Sequence, residues 1–201
     1  MKKLSTIFLI LTLSTGCSQE IISSKYAESI NSNDLKDLLS IYSSDDFEGR
    51  QTGTKGDITA ANFLRDFYIS NEIEPALNTI DYFQSYQLNL PGRMYTRNYT
   101  FPSTLRGYDR YAQGENFVDT QNIASVIEGE IYPESYLIIT GHLDHVGING
   151  DEVYNGADDN GSGTVSILEI AQAFQEAVED GVRPKRSVVF LHVSGEEEGL
   201  L

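Results

Sequence analysis

The sequence predicts an α/β layered domain, and two observations lead to that prediction. Short apolar runs with strand character stand at residues 122–128, 136–140 and 187–193, and a segment of helical periodicity at about 163–178 separates the last two. Strands that alternate with helices are typical of layered α/β domains. Apolar residues make up 40% of the chain, which is enough for one buried core.

The N-terminal half predicts two helices joined by a turn-rich loop. The first begins near Asn33, with Ser32 or Asn33 as its cap, and the second spans about residues 59–69. Three glycines mark the loop at 46–56 between them. The apolar positions with helical spacing are Leu35, Leu38, Leu39 and Tyr42 in the first helix, Ala60, Phe63, Leu64 and Phe67 in the second, and Val165, Leu168, Ala171 and Phe174 at 163–178. Residues 78–121 have weak periodicity, and a strand at 83–90 is the element predicted there.

The chain begins with the pattern of an export signal. Lys2 and Lys3 precede an apolar run at 4–13, and small residues follow ahead of Cys17. This run is about ten residues long, whereas a membrane-spanning helix needs about twenty, so we expect residues 1–16 to be removed. The position of Cys17 resembles a bacterial lipoprotein box, in which the cysteine becomes the lipidated N-terminus. An ordinary secretory signal with an incidental cysteine is the alternative.

The predicted organisation is a signal peptide at 1–16, a linker at 17–31 and one domain at 32–201. Lipid on Cys17 would be the sole membrane contact. The residue that follows Cys17 is Ser18 and not the aspartate that marks inner-membrane retention. We therefore expect an exported protein at the periplasmic or outer-membrane face. Because the chain stops just after a strand-like run and an acidic segment, the domain is expected to continue beyond residue 201.

The charge of the chain disfavours nucleic acid as a partner. Removal of residues 1–16 takes away two lysines and no acids, which leaves 12 basic and 30 acidic side chains and a formal charge of −18. Binding to phosphate requires a basic patch, and the sequence contains none. Cys17 is the only cysteine, so no disulfide can form within the chain.

Two clusters of possible metal ligands follow predicted strands. His142 and Asp144 come after the strand at 136–140, and residues two apart in extended backbone point to the same face. A carboxylate beside an imidazole can accept its N–H and orient the ring for metal binding. Glu196 and Glu197 come after the strand at 187–193, where one glutamate could bind a metal and its neighbour could face water. Alone, each cluster could also be an ordinary solvated group.

A third cluster, at residues 155–163, lies at the start of the predicted helix. Small residues surround Asp158 and Asp159, which lets the backbone approach an ion closely. A capped helix start is the alternative for this cluster alone.

Together the three clusters resemble, in order and spacing, the dizinc exopeptidase family that includes bacterial leucyl aminopeptidases and glutamate carboxypeptidase II. The motifs are His-x-Asp at 142–144, Gly-Ala-Asp-Asp at 156–159 and Glu-Glu-x-Gly-Leu at 196–200. The loop at 47–56 is also similar to the N-terminal segment of these peptidases. The resemblance covers about residues 44–76 and 122–201, and it implies a mixed β-sheet flanked by helices, as in phosphorylase/hydrolase-like zinc exopeptidases.

The resemblance also implies a role for each motif residue. His142 would bind one of two Zn²⁺ ions, Asp158 would bridge both, and Glu197 would bind the other. The roles of the remaining residues would be catalytic or supporting: Glu196 the general base, Asp144 the partner that orients the His142 ring, and Asp159 a neighbour of the ligands joined to Asp158 by a cis peptide bond.

The family pattern needs one further aspartate and one further histidine as ligands. No residue here is assigned to them, since His145 and His192 are expected to have packing roles. Each zinc would then keep two protein ligands where three are usual. We therefore expect the 201-residue chain to be an N-terminal fragment that binds zinc weakly and has little activity.

For the complete enzyme, the resemblance implies an aminopeptidase that hydrolyses peptides. Two zinc ions would activate a water and polarise the scissile carbonyl, and Glu196 would carry the proton to the leaving amine. Within the family, a carboxypeptidase or a glutaminyl cyclase is the alternative. A further alternative is a non-catalytic binding lipoprotein on a peptidase-like domain, as in the transferrin receptor ectodomain.

Overall fold

The computed structural model describes residues 24–89 and 117–199, in which helices flank a mixed β-sheet, as the sequence predicts. The helices are α1 (Ser32–Tyr42), α2 (Lys55–Ser70) and α3 (Ser162–Glu179). The strands are β1 (Glu74–Pro75), β2 (Phe83–Asn89), β3 (Phe117–Ile127), β4 (Tyr132–His142), β5 (Gly147–Asn149), β6 (Glu152–Tyr154) and β7 (Arg186–Val193).

The main sheet has β7 between β3 and β4. Strand β3 is antiparallel to β7, and β4 is parallel to β7. On the other side of β3, β1 and β2 pair with successive parts of the strand. Strands β5 and β6 form a separate hairpin. Strands β4 and β7 are parallel and are connected through α3. Their carboxyl ends therefore lie at the same edge of the sheet.

The predicted elements are confirmed, but several are longer than their sequence patterns indicate. Strand β3 begins at Phe117 rather than 122, since its first residues pair with all seven residues of β2. Helix α2 begins at Lys55, so the last residues of the predicted loop are helical. The predicted cap of α1 is wrong: Asn31 is the cap, and its side-chain oxygen accepts bonds from the backbone N–H groups of Asn33 and Asp34.

The apolar faces predicted for the helices meet in one core. Tyr42, Leu64 and Leu168 are fully buried in it, together with Ile123 and Phe190 of the sheet. These faces fix the helices over the sheet, and burial of each large side chain contributes on the order of 1.5–3 kcal/mol. The core therefore holds the carboxyl ends of β4 and β7 in a fixed relation to the start of α3.

The loop after α1 packs against the β5–β6 hairpin. It contains a 3₁₀ turn, Asp45–Arg50, in which Gly49 has a φ of +64°. A Cβ at Gly49 would lie 2.4 Å from the carbonyl oxygen of Gly147 and 2.6 Å from that of Tyr154. Only glycine permits both the backbone conformation and this close approach.

Part of the predicted linker packs against the domain. Residues 24–27 are helical, and Lys25 and Tyr26 both bond the carboxylate of Asp180 at the end of α3. The predicted signal peptide and Cys17 lie outside the described residues. Within the described part of the chain, no helix combines the length and the apolar character needed to cross a membrane.

Candidate metal centre

The candidate site lies where β4 and β7 end. Their register places His142 opposite Val193, so the loop that follows β4 and the loop that follows β7 leave the sheet side by side. The irregular turn Ala157–Gly161, which leads into α3, lies against the same edge. Three chain segments that are distant in sequence therefore bring their polar side chains together.

His142 is the centre of this arrangement, and only 11% of its side chain is exposed. Its Nε2 lies 3.1 Å from Oδ1 of Asp159 and 3.9 Å from Oε2 of Glu196. Burial by itself lowers the pKa of His142. The adjacent carboxylate and backbone carbonyl of Asp144, together with the charge of Glu196, outweigh that effect and raise the pKa to about 9.

Asp144 organises the site differently from the sequence prediction. Nδ1 of His142 lies 3.0 Å from the backbone carbonyl oxygen of Asp144, whereas the carboxylate is 3.7 Å away. The fully buried carboxylate accepts bonds from the backbone N–H of Glu196 at 3.3 Å and of Glu197 at 3.2 Å. It also accepts a hydrogen bond from the Thr52 hydroxyl at 3.0 Å. Asp144 therefore positions the two glutamates as well as His142.

The role of Asp158 as the bridging ligand stays a prediction. Both aspartates are exposed, and in this structure it is the carboxylate of Asp159 that faces Nε2 of His142. The cis peptide bond joins Asp159 to Asn160, one residue later than predicted. Asp159 has the extended values φ −118° and ψ 96° within the turn.

His145 is a site residue that the sequence prediction missed. Its Nδ1 lies 2.7 Å from Oε1 of Glu197, so its expected packing role is wrong. The available signal was its position in the loop that directly follows β4, three residues after His142. His192, in contrast, has the packing role predicted for it: it is fully buried, and its Nε2 lies 2.7 Å from the Tyr68 hydroxyl. Burial lowers the pKa of His192 to about 3.

The donor atoms form two overlapping groups within which a divalent cation could bind. One contains His142, Glu196 and Glu197, and the other contains His145, Asp159 and Glu197; in each, one donor atom per residue lies within 4.8 Å of the others. Imidazole nitrogens mixed with carboxylate oxygens suit zinc. The residues present therefore fit the metal that the sequence predicts.

The comparison that decides the family is with Peptidase family M28, whose sequence profile matches residues 122–201. Residues 122–201 therefore resemble peptidase family M28. This match confirms the predicted resemblance to the dizinc exopeptidases and includes all three site segments described above. The loop around Arg50 lies outside the matched residues.

Curated M28-like relatives include both aminopeptidases and carboxypeptidases. A probable aminopeptidase of Saccharomyces cerevisiae is 38% identical over 78 residues, 37% of this chain and 21% of the relative. A probable glutamate carboxypeptidase of Arabidopsis thaliana is 35% identical over 81 residues, 40% of this chain and 11% of the relative. The chain thus spans about a fifth of the length of the first of these relatives and about a tenth of the second.

Solved structures support the fold over a larger part of the chain. An aminopeptidase from Aneurinibacillus sp. strain AM-1 has a TM-score of 0.59 at 11% identity, with 86% of this chain and 64% of that chain covered. A zinc aminopeptidase from Bacillus subtilis has a TM-score of 0.57 at 14% identity, with 83% and 62% covered. A glutaminyl cyclase from Macrostomum lignano has a TM-score of 0.55 at 13% identity, with 85% and 40% covered. These likenesses confirm the predicted fold class, a mixed α/β domain.

Proposed function

We propose that the protein is a zinc-dependent aminopeptidase that removes N-terminal residues from peptides. The observation that carries this proposal is the convergence of His142, Asp159, Glu196 and Glu197 at one edge of the sheet. The resemblance of residues 122–201 to a peptidase family supports it. The activity is proposed for the whole protein, since this chain spans only part of its relatives.

The residues of the site divide into ligands and a proton carrier. His142, His145, Asp159 and Glu197 would hold the metal, and two ions are proposed because Glu197 belongs to both donor groups. Zinc, when bound, supplies a Lewis acid that acidifies water and polarises a carbonyl.

Glu196 is the proposed general base. Its side chain is 37% exposed, and the buried carboxylate of Asp144 holds its backbone N–H. In this position its carboxylate can accept a proton from the attacking water and deliver it to the leaving amine. This role keeps Glu196 close to the ligands without requiring it to bind metal.

The charge of the site favours an aminopeptidase over a carboxypeptidase. The side chain of Asp159 is 69% exposed, and the exposed Asp158 lies beside it, so a substrate approaching from solvent meets carboxylates first. Such a field attracts the cationic α-amino group of a peptide and repels an α-carboxylate.

An assay with three substrate types tests the proposal. Purified zinc-loaded protein is incubated separately with an amino-acid anilide that has a free amine, an N-acyl dipeptide that has a free carboxylate, and a peptide that has an N-terminal glutamine. The Glu196→Gln variant is the matched control for each substrate. We expect turnover of the anilide alone. Cleavage of the acyl dipeptide would support a carboxypeptidase, and cyclisation a glutaminyl cyclase. Zinc binding without turnover of any substrate would favour the non-catalytic binding lipoprotein.

We further propose that the protein is exported and anchored through lipid on Cys17, with peptides rather than nucleic acid as partners. The charge pattern and apolar run at the N-terminus support this proposal. Labelled palmitate should enter the unsubstituted protein and not Cys17→Ser. Equal labelling of both would contradict the lipid anchor.

A further inference from the structure

Arg50 is a fully buried cation that lies beneath the candidate metal centre. Its guanidinium donates to backbone carbonyl oxygens: Nε to Leu143 at 3.0 Å, Nη1 to Tyr42 at 3.0 Å and to Asn155 at 2.7 Å, and Nη2 to Gly156 at 2.9 Å. Burying a guanidinium is costly unless its donors are satisfied, and these four bonds satisfy much of its donor capacity.

Three of the four carbonyls that Arg50 binds belong to the two segments that carry the metal-binding side chains, and the fourth, that of Tyr42, ends α1. Leu143 lies between His142 and the remainder of the loop that follows β4. Asn155 and Gly156 lead directly into the turn that carries Asp159. One guanidinium therefore connects the histidine-bearing loop to the aspartate-bearing turn.

The backbone of Arg50 strengthens the same connection. Its carbonyl oxygen accepts the backbone N–H of His145 at 3.1 Å, so the histidine-bearing loop is held from both sides. The ring of Tyr42 lies 4.6 Å below the guanidinium, and the Tyr42 hydroxyl donates to the carbonyl oxygen of Leu143 at 3.0 Å. Leu143 thus has two side-chain donors on one oxygen.

These contacts require the shape of arginine as well as its charge. The planar guanidinium presents its donors as a rigid fork, whereas the ammonium of lysine is a compact charge on a flexible stem. Lysine at position 50 could contact one of the two segments well, but it could not span the acceptors on both. The separation between the segments therefore depends on the fork.

We infer that Arg50 is a positioning residue of the metal centre, which sets the distance between the His142–His145 loop and the turn that carries Asp159. This inference rests on the proposed function for its metal-binding consequence. Its structural part, the connection of the two segments, stands on the three side-chain bonds to Leu143, Asn155 and Gly156. Partners that orient metal ligands typically change metal affinity by about 10–100-fold when substituted.

The test compares Arg50→Lys and Arg50→Met with the unsubstituted full chain. Arg65→Lys and Arg65→Met are the matched controls, because Arg65 makes its ion pairs with Asp66 and Asp81 on the surface. Hydrogen exchange followed by mass spectrometry reports on residues 142–161 and, separately, on α2 and β3. Zinc affinity is measured by competition with a chromophoric chelator, and the visible absorption of bound Co²⁺ reports the ligand geometry.

We expect Arg50→Lys to stay folded, with exchange at least about tenfold faster in 142–161 and unchanged in α2 and β3. Its zinc affinity should fall by about 10–100-fold with an altered Co²⁺ spectrum, and Arg50→Met should show the larger effect. The Arg65 variants should match the unsubstituted chain in all three measurements.

Three results would overturn the inference: unchanged exchange in 142–161, an equal acceleration in α2 and β3, or loss of folding in both Arg50 variants, which would make Arg50 a residue of the folding core. If the unsubstituted chain binds no zinc, the proposed function fails, and the exchange pattern still decides the role of Arg50.

Discussion

Raising the pH from 6 to 8 should strengthen zinc binding by about 100-fold, because His142 must lose a proton before it can bind metal. With a pKa of about 9, the neutral imidazole increases about tenfold for each pH unit in this range. At pH 7, which is two units below this pKa, the need to remove the proton weakens the free energy of zinc binding by about 2.7 kcal/mol. An ordinary histidine, with a pKa near 6.5, would give a change of only about fourfold over the same range.

The sign of this effect is opposite for the metal-free fold. Because the pKa of His142 is raised on folding, its contribution to stability is fully present below pH 6.5 and is lost as pH rises through about 9. Zinc binding gains over the same interval in which the metal-free protein loses this contribution. The two effects can therefore be separated by measuring unfolding with and without zinc.

Competition with a chromophoric chelator at half-unit steps of pH measures the slope. Asp144→Asn is the matched variant, because it keeps the shape of the side chain and removes the charge that raises the pKa of His142. Its zinc affinity should level off at a lower pH than that of the unsubstituted chain. A profile that is already level above pH 7 in the unsubstituted chain would contradict a raised pKa of His142, as would identical profiles for the two proteins.

Three further predictions test individual side chains. Glu196→Gln should lower turnover by about 10²–10⁴-fold and leave zinc content unchanged, measured by anilide hydrolysis and metal analysis; equal loss of zinc would make Glu196 a ligand instead. Asp159→Asn should weaken zinc binding at least about tenfold while Asp158→Asn does not, and the reverse order would support the sequence-based assignment. Burial lowers the pKa of His192 to about 3, so neutral His192 contributes to stability above pH 6.5, and this contribution is lost as pH falls toward 3. Between pH 7 and 5, the free energy of unfolding, measured with urea, should therefore fall by about 2 kcal/mol more in the unsubstituted chain than in His192→Gln.

The sequence was sufficient to predict where the site lies. His142 and Glu196 follow apolar strands, and the segment containing Asp159 precedes a helix with a clear apolar stripe. Strand and helix identity depends on periodicity, which a single sequence contains. Since parallel neighbouring strands end at the same sheet edge, the clustering of these segments follows from the order of the elements.

The sequence was not sufficient to predict which side chains face one another. Asp158 and Asp159 are chemically identical neighbours, and the choice between them depends on the backbone angles of one turn. His145 had no periodic pattern to mark it as part of the site, because it lies in an irregular loop. The contacts of Arg50 with Leu143 and Gly156 span about a hundred residues of sequence, so no local pattern could indicate them.

The orientation of Asp159 toward His142 and the contacts of Arg50 involve the same short segment. Asp159 follows Gly156 by three residues, and the carbonyl oxygen of Gly156, a residue with a φ of +54°, accepts a hydrogen bond from Arg50 at 2.9 Å. If the fork of Arg50 fixes that carbonyl, it also fixes the point from which the turn starts, and hence which aspartate faces the histidine. Arg50→Lys should then weaken the preference for Asp159 over Asp158 as well as the overall affinity for zinc. A preference that survives the substitution intact would mean that the turn holds its own geometry.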